Sequence, residues 1–281
     1  MEQTQKERLD FLLDKLTEES TDYRNLEVAD NYDKKRMALR SLMNIRMPGA
    51  ISKEILQVQD AFLKEETMEK GRVNFHDIPT IKEQLGSTAS YADKISIWQG
   101  DITMLRIGAI VNAANSQMLG CFIPCHRCID NAIHSAAGIQ LRLECNNIMN
   151  QKRMQFGRQY EEPTGTAILT KGYNLPSDYV IHTVGPIVRY ELTQSLRQDL
   201  KNCYLSVLRC AMKYDIRSVA YCCISTGEFH FPNDEATCIA VKTVTDFLEE
   251  NDKQFERIVF NVYKDIDKKL YEDAFEKEIS R

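Results

Sequence analysis

The chain has 281 residues, with 36 Lys and Arg against 41 Asp and Glu, a net charge of −5. That length suits one large domain, or one domain with a smaller appendage. The acidic balance argues against a protein that wraps nucleic acid, which needs a basic face, but leaves room for a local pocket that takes one phosphate group. In chain order, the polar start MEQTQKERLD lacks the apolar core of a secretory signal. Helical periodicity follows. Leu9, Leu12, Leu13 and Leu16 form one apolar stripe, and Met37, Leu39, Leu42, Met43 and Ile45 a second, stopped at Met47-Pro48-Gly49. Ile51, Ile55, Leu56, Val58, Phe62 and Leu63 form a third, and the stretch after Gly71 reads as irregular. Short amphipathic helices of this kind do not fold far alone, so they are expected to form an appendage packed on the rest.

From about Lys94 strands alternate with helices, the pattern of an α/β fold. Ile95–Gln99 reads as a strand and IGAIVNAAN begins as another; Cys128 to Asn147 reads as one helix with Ile129, Ile133, Ala137 and Leu141 inward. GTAILT and YVIHTV are strands, Leu192 to Tyr214 a helix, and VAYCCI a strand apolar on both faces, as a central strand should be. Asp234 to Glu249 is a helix announced by PND, ERIVFNVY the last strand, and Ile266 to Glu278 the last helix. A mixed sheet between helices is the expected architecture. No apolar run reaches membrane-spanning length. The nine cysteines, an odd number, fit a reducing, cytoplasmic setting with thiols free or metal-bound. Cys203, Cys210, Cys222, Cys223 and Cys238 lie in apolar patterns and read as small buried hydrophobes.

Ligands of open α/β sheets gather at the carboxyl ends of strands, and three strand-end loops stand out. The first is QGDIT, Gln99–Thr103. The third, ISTGEFHFPND, offers backbone N–H groups, two hydroxyls and a glycine, suited to a phosphate; a capped turn explains the same residues more simply. The second runs from VNAAN through GCFIPCHRCID. Its Asn112 and Asn115 serve either a turn or the reading of hydroxyl groups. Cys121, Cys125, His126 and Cys128 then fall within eight positions, a density that points to a metal, with zinc the ion that such donors favour. Neighbouring side chains such as Cys125 and His126 rarely face one ion, and no second pair has finger-like spacing. Three ligands with one open position is the catalytic pattern; a redox C-x-x-C at Cys125–Cys128 is the competing reading. Asp130 opens the next helix, where it either complements the helix dipole or faces what the metal holds. His134, one turn on, could orient Asp130, and His182 reads as a satisfied core histidine.

Taken together, GDIT, VNAANS, the Gly120–Asp130 cluster, EEPTGTA, YNLP and IHTVGP, CCISTG and FNVY resemble the macrodomain family, and more narrowly its zinc-containing bacterial branch of ADP-ribosyl hydrolases. The likeness runs from about Ile95 to about Tyr271. It implies a three-layer α/β/α macrodomain with a mixed central sheet over 91–281, and a small helical appendage over 1–90. It also implies a cleft for ADP-ribose: Asp101 and Ile102 at the adenine, Tyr263 as a stacking ring, Ser225, Thr226, Gly227 and Glu228 along the diphosphate, Phe229 near the second ribose, and Asn115 on the hydroxyls of that ribose. The family pattern places the metal ligands at Cys121, His126 and Cys128 and leaves Cys125 free. One departure is His230, where many macrodomains have a second glycine after the phenylalanine of the phosphate loop.

What the resemblance implies about activity is the zinc-dependent removal of ADP-ribose from mono-ADP-ribosylated proteins. In that reading Asn115 holds the ribose and Asp130 orients a water or takes its proton. The ion either activates water or polarises a ribose oxygen, and the residues do not separate these roles. The alternatives are a reader that binds ADP-ribose without cleaving it, and an O-acetyl-ADP-ribose deacetylase. The expected partners are ADP-ribose and a modified protein, without nucleic acid or membrane, for a monomeric chain.

Overall fold

The computed structural model describes residues 3–251 and 253–279. In chain order these form α1 (Gln5–Glu19), α2 (Tyr32–Ile45), α3 (Lys53–Lys70), β1 (Val73–Asn74), α4 (Ile81–Leu85), β2 (Ile95–Gln99), β3 (Leu105–Arg106) and β4 (Ala109–Ala114). There follow α5 (Ile129–Ala137), α6 (Ile139–Phe156), β5 (Ala167–Lys171), β6 (Tyr179–Val184), α7 (Gln194–Lys213), β7 (Ser218–Tyr221), α8 (Asn233–Glu250), β8 (Arg257–Val262) and α9 (Asp265–Ile279). Two compact units result. One comprises Met1–Gly71, Met118–Tyr160 and Tyr173–Leu175; the other comprises Arg72–Gln117, Glu161–Gly172 and Pro176–Arg281. These units cut the chain at other points than 1–90 and 91–281, because Met118–Tyr160 packs with the N-terminal helices.

In the first unit, local sequence sets the helix starts. Thr4 and Glu7 make a reciprocal capping box at α1, and Asn31 and Ser52 cap α2 and α3 by accepting from the N–H groups of Lys34 and Ile55. The apolar stripes then meet: Leu9, Leu12, Leu13 and Leu16 of α1 pack with Leu39, Leu42 and Met43 of α2 and Ile55, Phe62 and Leu63 of α3, and Ile139 of α6 joins them. Met37 of the second stripe does not; it is 61% exposed. The single helix expected from Cys128 to Asn147 is two helices. Gly138 breaks it with φ +95 and ψ 178, a conformation that L side chains rarely adopt.

The second unit holds a mixed six-stranded sheet, ordered β2-β8-β7-β4-β6-β5, with every neighbouring pair parallel except β5 and β6. Its central strands are apolar on both faces: Ile110, Val111, Ile181, Val219, Ala220, Val259 and Phe260 are all fully buried. α7 packs on β5 and β6, α9 on β2 and β8, and α8 contacts both α7 and α9. The VAYCCI strand ends early, at Tyr221, so Cys222 and Cys223 belong to the loop that follows. Among the cysteines read as buried, Cys203 and Cys222 are so, whereas Cys210 and Cys223 are half-buried and Cys238 is exposed on α8. His182 is 1% exposed and satisfied: Asn112 Nδ2 lies 3.1 Å from its Nδ1 and Thr170 Oγ1 lies 2.8 Å from its Nε2.

Candidate functional site

Parallel pairing sends β2, β4, β6, β7 and β8 the same way, so the residues that follow them emerge at one sheet edge. This topology gathers Asp101 after β2, Asn115 after β4, Ser225 to Phe229 after β7 and Tyr263 after β8, although they are far apart in sequence. The ends of β2 and β8 are tied together, with Asn261 Nδ2 donating to Gly100 O at 2.9 Å and Gln99 Nε2 to Asp265 Oδ1 at 2.7 Å. Asp101 is exposed and caps a single helical turn, its Oδ1 accepting from Thr103 N at 3.0 Å and Thr103 Oγ1 at 2.7 Å; Ile102 beside it is buried. The Tyr263 ring is 77% exposed.

Asn112 and Asn115, similar in sequence, part company in space. Asn112 lies within β4, fully buried, and bonds His182. Asn115 stands just past the strand in a turn in which its Oδ1 accepts from Gln117 N at 3.0 Å. That turn is clamped from outside: Glu161 accepts from Ser116 Oγ and from Gln117 Nε2, each at 2.6 Å, and Glu162 N donates to Ser116 O at 2.9 Å. The two glutamates of EEPTGTA thus shape the loop that presents Asn115.

The loop after β7 is built without help from glycine geometry at its tip. Ser225 is buried in the left-handed region at φ +66, and Phe231 N donates to its carbonyl at 3.0 Å. Thr226 Oγ1 donates back to Cys223 O at 3.1 Å, and Val188 N donates to Phe229 O at 2.9 Å. A Cβ on Gly185 would lie 2.1 Å from Ser225 Oγ, so Gly185 lets the Ser225 side chain pack against the backbone. Gly227 differs: its φ is not positive, and a Cβ there would meet nothing within 4 Å. Glu228 and His230 are exposed and Phe229 half-buried. His230 stands at φ +56.

In the first unit the loop from Gly120 runs into α5. Gly120 (φ +77) lies against His134, whose Cγ a Cβ would approach to 2.8 Å. Cys121 Sγ and His126 Nδ1 are 3.6 Å apart, and the ligand atoms of Cys121, His126 and Cys128 all lie within 4.8 Å of one another, a set that can hold a metal ion. Cys128 is also the N-cap of α5, its Sγ accepting from Asn131 N at 3.4 Å. Burial pushes the Cys128 thiol up to about 12, with Cys121 and Asp130 adding to the rise against that hydrogen bond. A cation among the three donors inverts this preference, since it binds the thiolate. Asp130 is 5% exposed, and His134 Nε2, one turn on, lies 3.5 Å from its Oδ1. Cys125 takes φ +51, and its thiol lies 3.3 Å from Ser41 Oγ.

Four side chains that the sequence alone did not single out grip this loop. Arg40 of α2 donates from Nη2 to Asn131 Oδ1 at 2.7 Å and to His126 O at 3.3 Å. Asn44 Oδ1 accepts from Cys125 N at 2.9 Å, and Asn131 Nδ2 donates to Ile123 O at 2.9 Å. Arg142 of α6 donates to Leu119 O at 2.7 Å and Cys121 O at 3.3 Å, and from Nη1 to the carbonyls of Met43, Asn44 and Arg46 at 3.0, 2.7 and 2.8 Å. Burial lowers the Arg142 guanidinium to about 10, and it lies 4.2 Å over the Phe122 ring. No local pattern announces these residues. Only three polar positions, Arg40, Ser41 and Asn44, interrupt the apolar stretch from Met37 to Ile45 of α2, and they hint at a polar face there.

Comparison with known proteins supports one assignment. The Macro domain family model matches residues 111–240. A protein-ADP-ribose hydrolase of Treponema medium is 45% identical over 268 residues, covering 95% of this chain and 98% of that one. A protein of the same name from Staphylococcus aureus is 43% identical over 274 residues, covering 97% of each. Among solved structures, the Trypanosoma brucei macrodomain in complex with ADP-ribose aligns with a TM-score of 0.63 at 27% identity, over 88% of this chain and 97% of that one. The sheet order, the strand-end loops and this near full-length identity agree: the chain belongs to the macrodomain family, in the branch of the bacterial protein-ADP-ribose hydrolases.

Proposed function

We propose that the chain is a zinc-dependent hydrolase that removes ADP-ribose from mono-ADP-ribosylated proteins. One observation bears the activity: 45% identity sustained over 95% of the chain with a protein-ADP-ribose hydrolase. The metal rests on chemistry. Bonds of about 2.3 Å to sulfur and about 2.0–2.1 Å to nitrogen at a tetrahedral ion set the two donors about 3.6 Å apart. The Cys121 sulfur and His126 Nδ1 have that separation, 3.6 Å. With Cys128 they make three soft donors, the number that leaves one corner open. When bound, zinc supplies a Lewis acid at neutral pH.

The chain's own residues divide the remaining work. Asp101, Ile102 and exposed Tyr263 receive the adenine, and Ser225 to Phe229 receive the diphosphate and second ribose. Gly227 supports this assignment. Its backbone is open, with nothing within 4 Å of where a Cβ would stand, so a diphosphate can approach it closely. Asn115, held by its turn, binds the ribose hydroxyls. Asp130 orients the attacking water or takes its proton, with His134 Nε2 3.5 Å from its Oδ1. Along the sequence the proposed division is 1–90 as helical appendage and 91–281 as macrodomain, with Met118–Tyr160 of the latter packing with the N-terminal helices. The nine free cysteines suit a cytoplasmic setting, and among the described residues no helix is long and apolar enough to cross a membrane.

The test is incubation of a mono-ADP-ribosylated protein with the full chain, with and without a chelator. Free ADP-ribose should appear only without chelator. Asp130→Asn should lower kcat by about 100- to 10,000-fold with KM little changed. Tight binding of the modified protein without release would instead identify a reader, and release in the presence of chelator would remove the metal from the reaction.

A further inference from the structure

We infer that Arg40 and Asn44, on helix α2, are positioning residues of the metal centre, and that with Arg142 they make the N-terminal helices a working part of it. The inference rests on the metal site proposed above and goes beyond it, since none of the three offers a ligand atom.

The argument is one of degrees of freedom. The segment from Gly120 to Cys128 has no helix or strand of its own and one turn bond, His126 N to Ile123 O at 3.2 Å, so its other backbone groups need partners from elsewhere. Each proposed ligand is held by a specific partner. Arg142 holds the Cys121 carbonyl, Arg40 holds the His126 carbonyl, and the Asn131 N–H holds the Cys128 sulfur. Asn44, 1% exposed, fixes the residue between them by accepting from Cys125 N. That bond matters because Cys125 sits in the left-handed region at φ +51, a conformation that an ordinary residue keeps only when its surroundings impose it.

The partners are themselves linked. Arg40 bonds Asn131, which bonds Ile123 inside the loop, and Asn44 Nδ2 donates to Ser135 Oγ at 2.9 Å. Arg142 closes the circuit by binding three carbonyls at the end of α2 while holding the start of the loop. The grip lies on backbone atoms and on the thiolate's capping donor, where it orients ligands without competing for the ion. Outer-shell partners of this type change metal affinity by about 10- to 100-fold when removed.

The test uses the full chain as Arg40→Ala, Arg40→Lys and Asn44→Ala. The readouts are zinc affinity, by competition with a chromogenic chelator, and the visible spectrum of the cobalt-substituted protein. Arg40 is half-buried at the surface, so its variants should fold even where Asn44→Ala does not. Arg40→Ala should weaken zinc binding about 10- to 100-fold and alter the cobalt spectrum, with kcat recovering at excess zinc. Arg40→Lys should fall between, because one ammonium cannot reproduce a fork that serves Asn131 and His126 together. Unchanged affinity and spectrum in Arg40→Ala would overturn the inference and leave Arg40 a purely structural contact. A wild-type chain that takes up no metal would overturn both this inference and the metal reading above. A wild type that binds zinc without hydrolysing substrate would overturn only the proposed activity.

Discussion

A single backbone angle explains the one residue that departs from the family pattern. His230 stands where many macrodomains have glycine, and its φ of +56 is the conformation glycine favours. The turn requires it: His230 N donates to Gly227 O at 3.1 Å and Phe231 N to Ser225 O at 3.0 Å, which closes the loop before α8. The side chain is exposed, so histidine meets backbone strain rather than a clash. A residue branched at Cβ would suffer more. His230→Val should lower unfolding free energy by about 1–2 kcal/mol in a urea titration, whereas His230→Gly should stay within about 0.5 kcal/mol of wild type. Equal stability of all three proteins would show that the left-handed turn costs nothing here. The departure was visible in the sequence, but its meaning lay in a dihedral angle that composition does not reveal.

At the scale of elements, the instructive case is the pair α5 and α6. Apolar spacing through Ile129, Ile133, Ala137 and Leu141 reads as one helix, and all but the half-buried Ile129 are buried, so the inward face was legible. The break was not, because a lone glycine in a helical pattern is commonly tolerated. What decides it is the surroundings of Gly138, where a Cβ would lie 2.7 Å from Gln59 Nε2 and 2.9 Å from Asn174 Nδ2. Those amides satisfy the interrupted backbone: Gln59 Oε1 accepts from Ile139 N at 3.0 Å and Asn174 Nδ2 donates to Ala137 O at 2.9 Å. Ending α5 there keeps it a short helix, with Cys128 as its cap and Asp130 in its first turn. Gly138→Ala should lower stability by about 1–3 kcal/mol, read from the urea midpoint, through strain and displaced amides together. An unchanged midpoint would mean that the break owes nothing to glycine.

For the whole molecule, one core residue makes stability sensitive to acid. Burial lowers His182 from an ordinary value of 6.5 to about 3. Between those values the unfolded chain binds a proton that the folded chain refuses, so stability present above pH 6.5 is lost as the pH falls toward 3. From pH 8 to pH 5 this one group should account for a loss of about 2 kcal/mol. Urea titrations at the two pH values check it, and His182→Gln should flatten the difference; an equally steep loss in that variant would put the acid sensitivity elsewhere.

The sequence alone determined most of the local elements, apart from the break at Gly138, and the chemistry they offer. Strand and helix periods, caps at Thr4, Asn31 and Ser52, and the cluster at Cys121, His126 and Cys128 depend on residues within a few positions of one another. The tertiary structure alone decided how that cluster is held and which similar residues differ. Asn44 meets Cys125 across 81 residues and Arg142 meets Met43 across 99, and Asn112 turns into the sheet while Asn115 leaves it. Such pairings depend on how the chain buries its apolar faces. Hydrophobic burial fixes which side chains come together without regard to their order along the chain, and a reading of neighbours therefore cannot reach them.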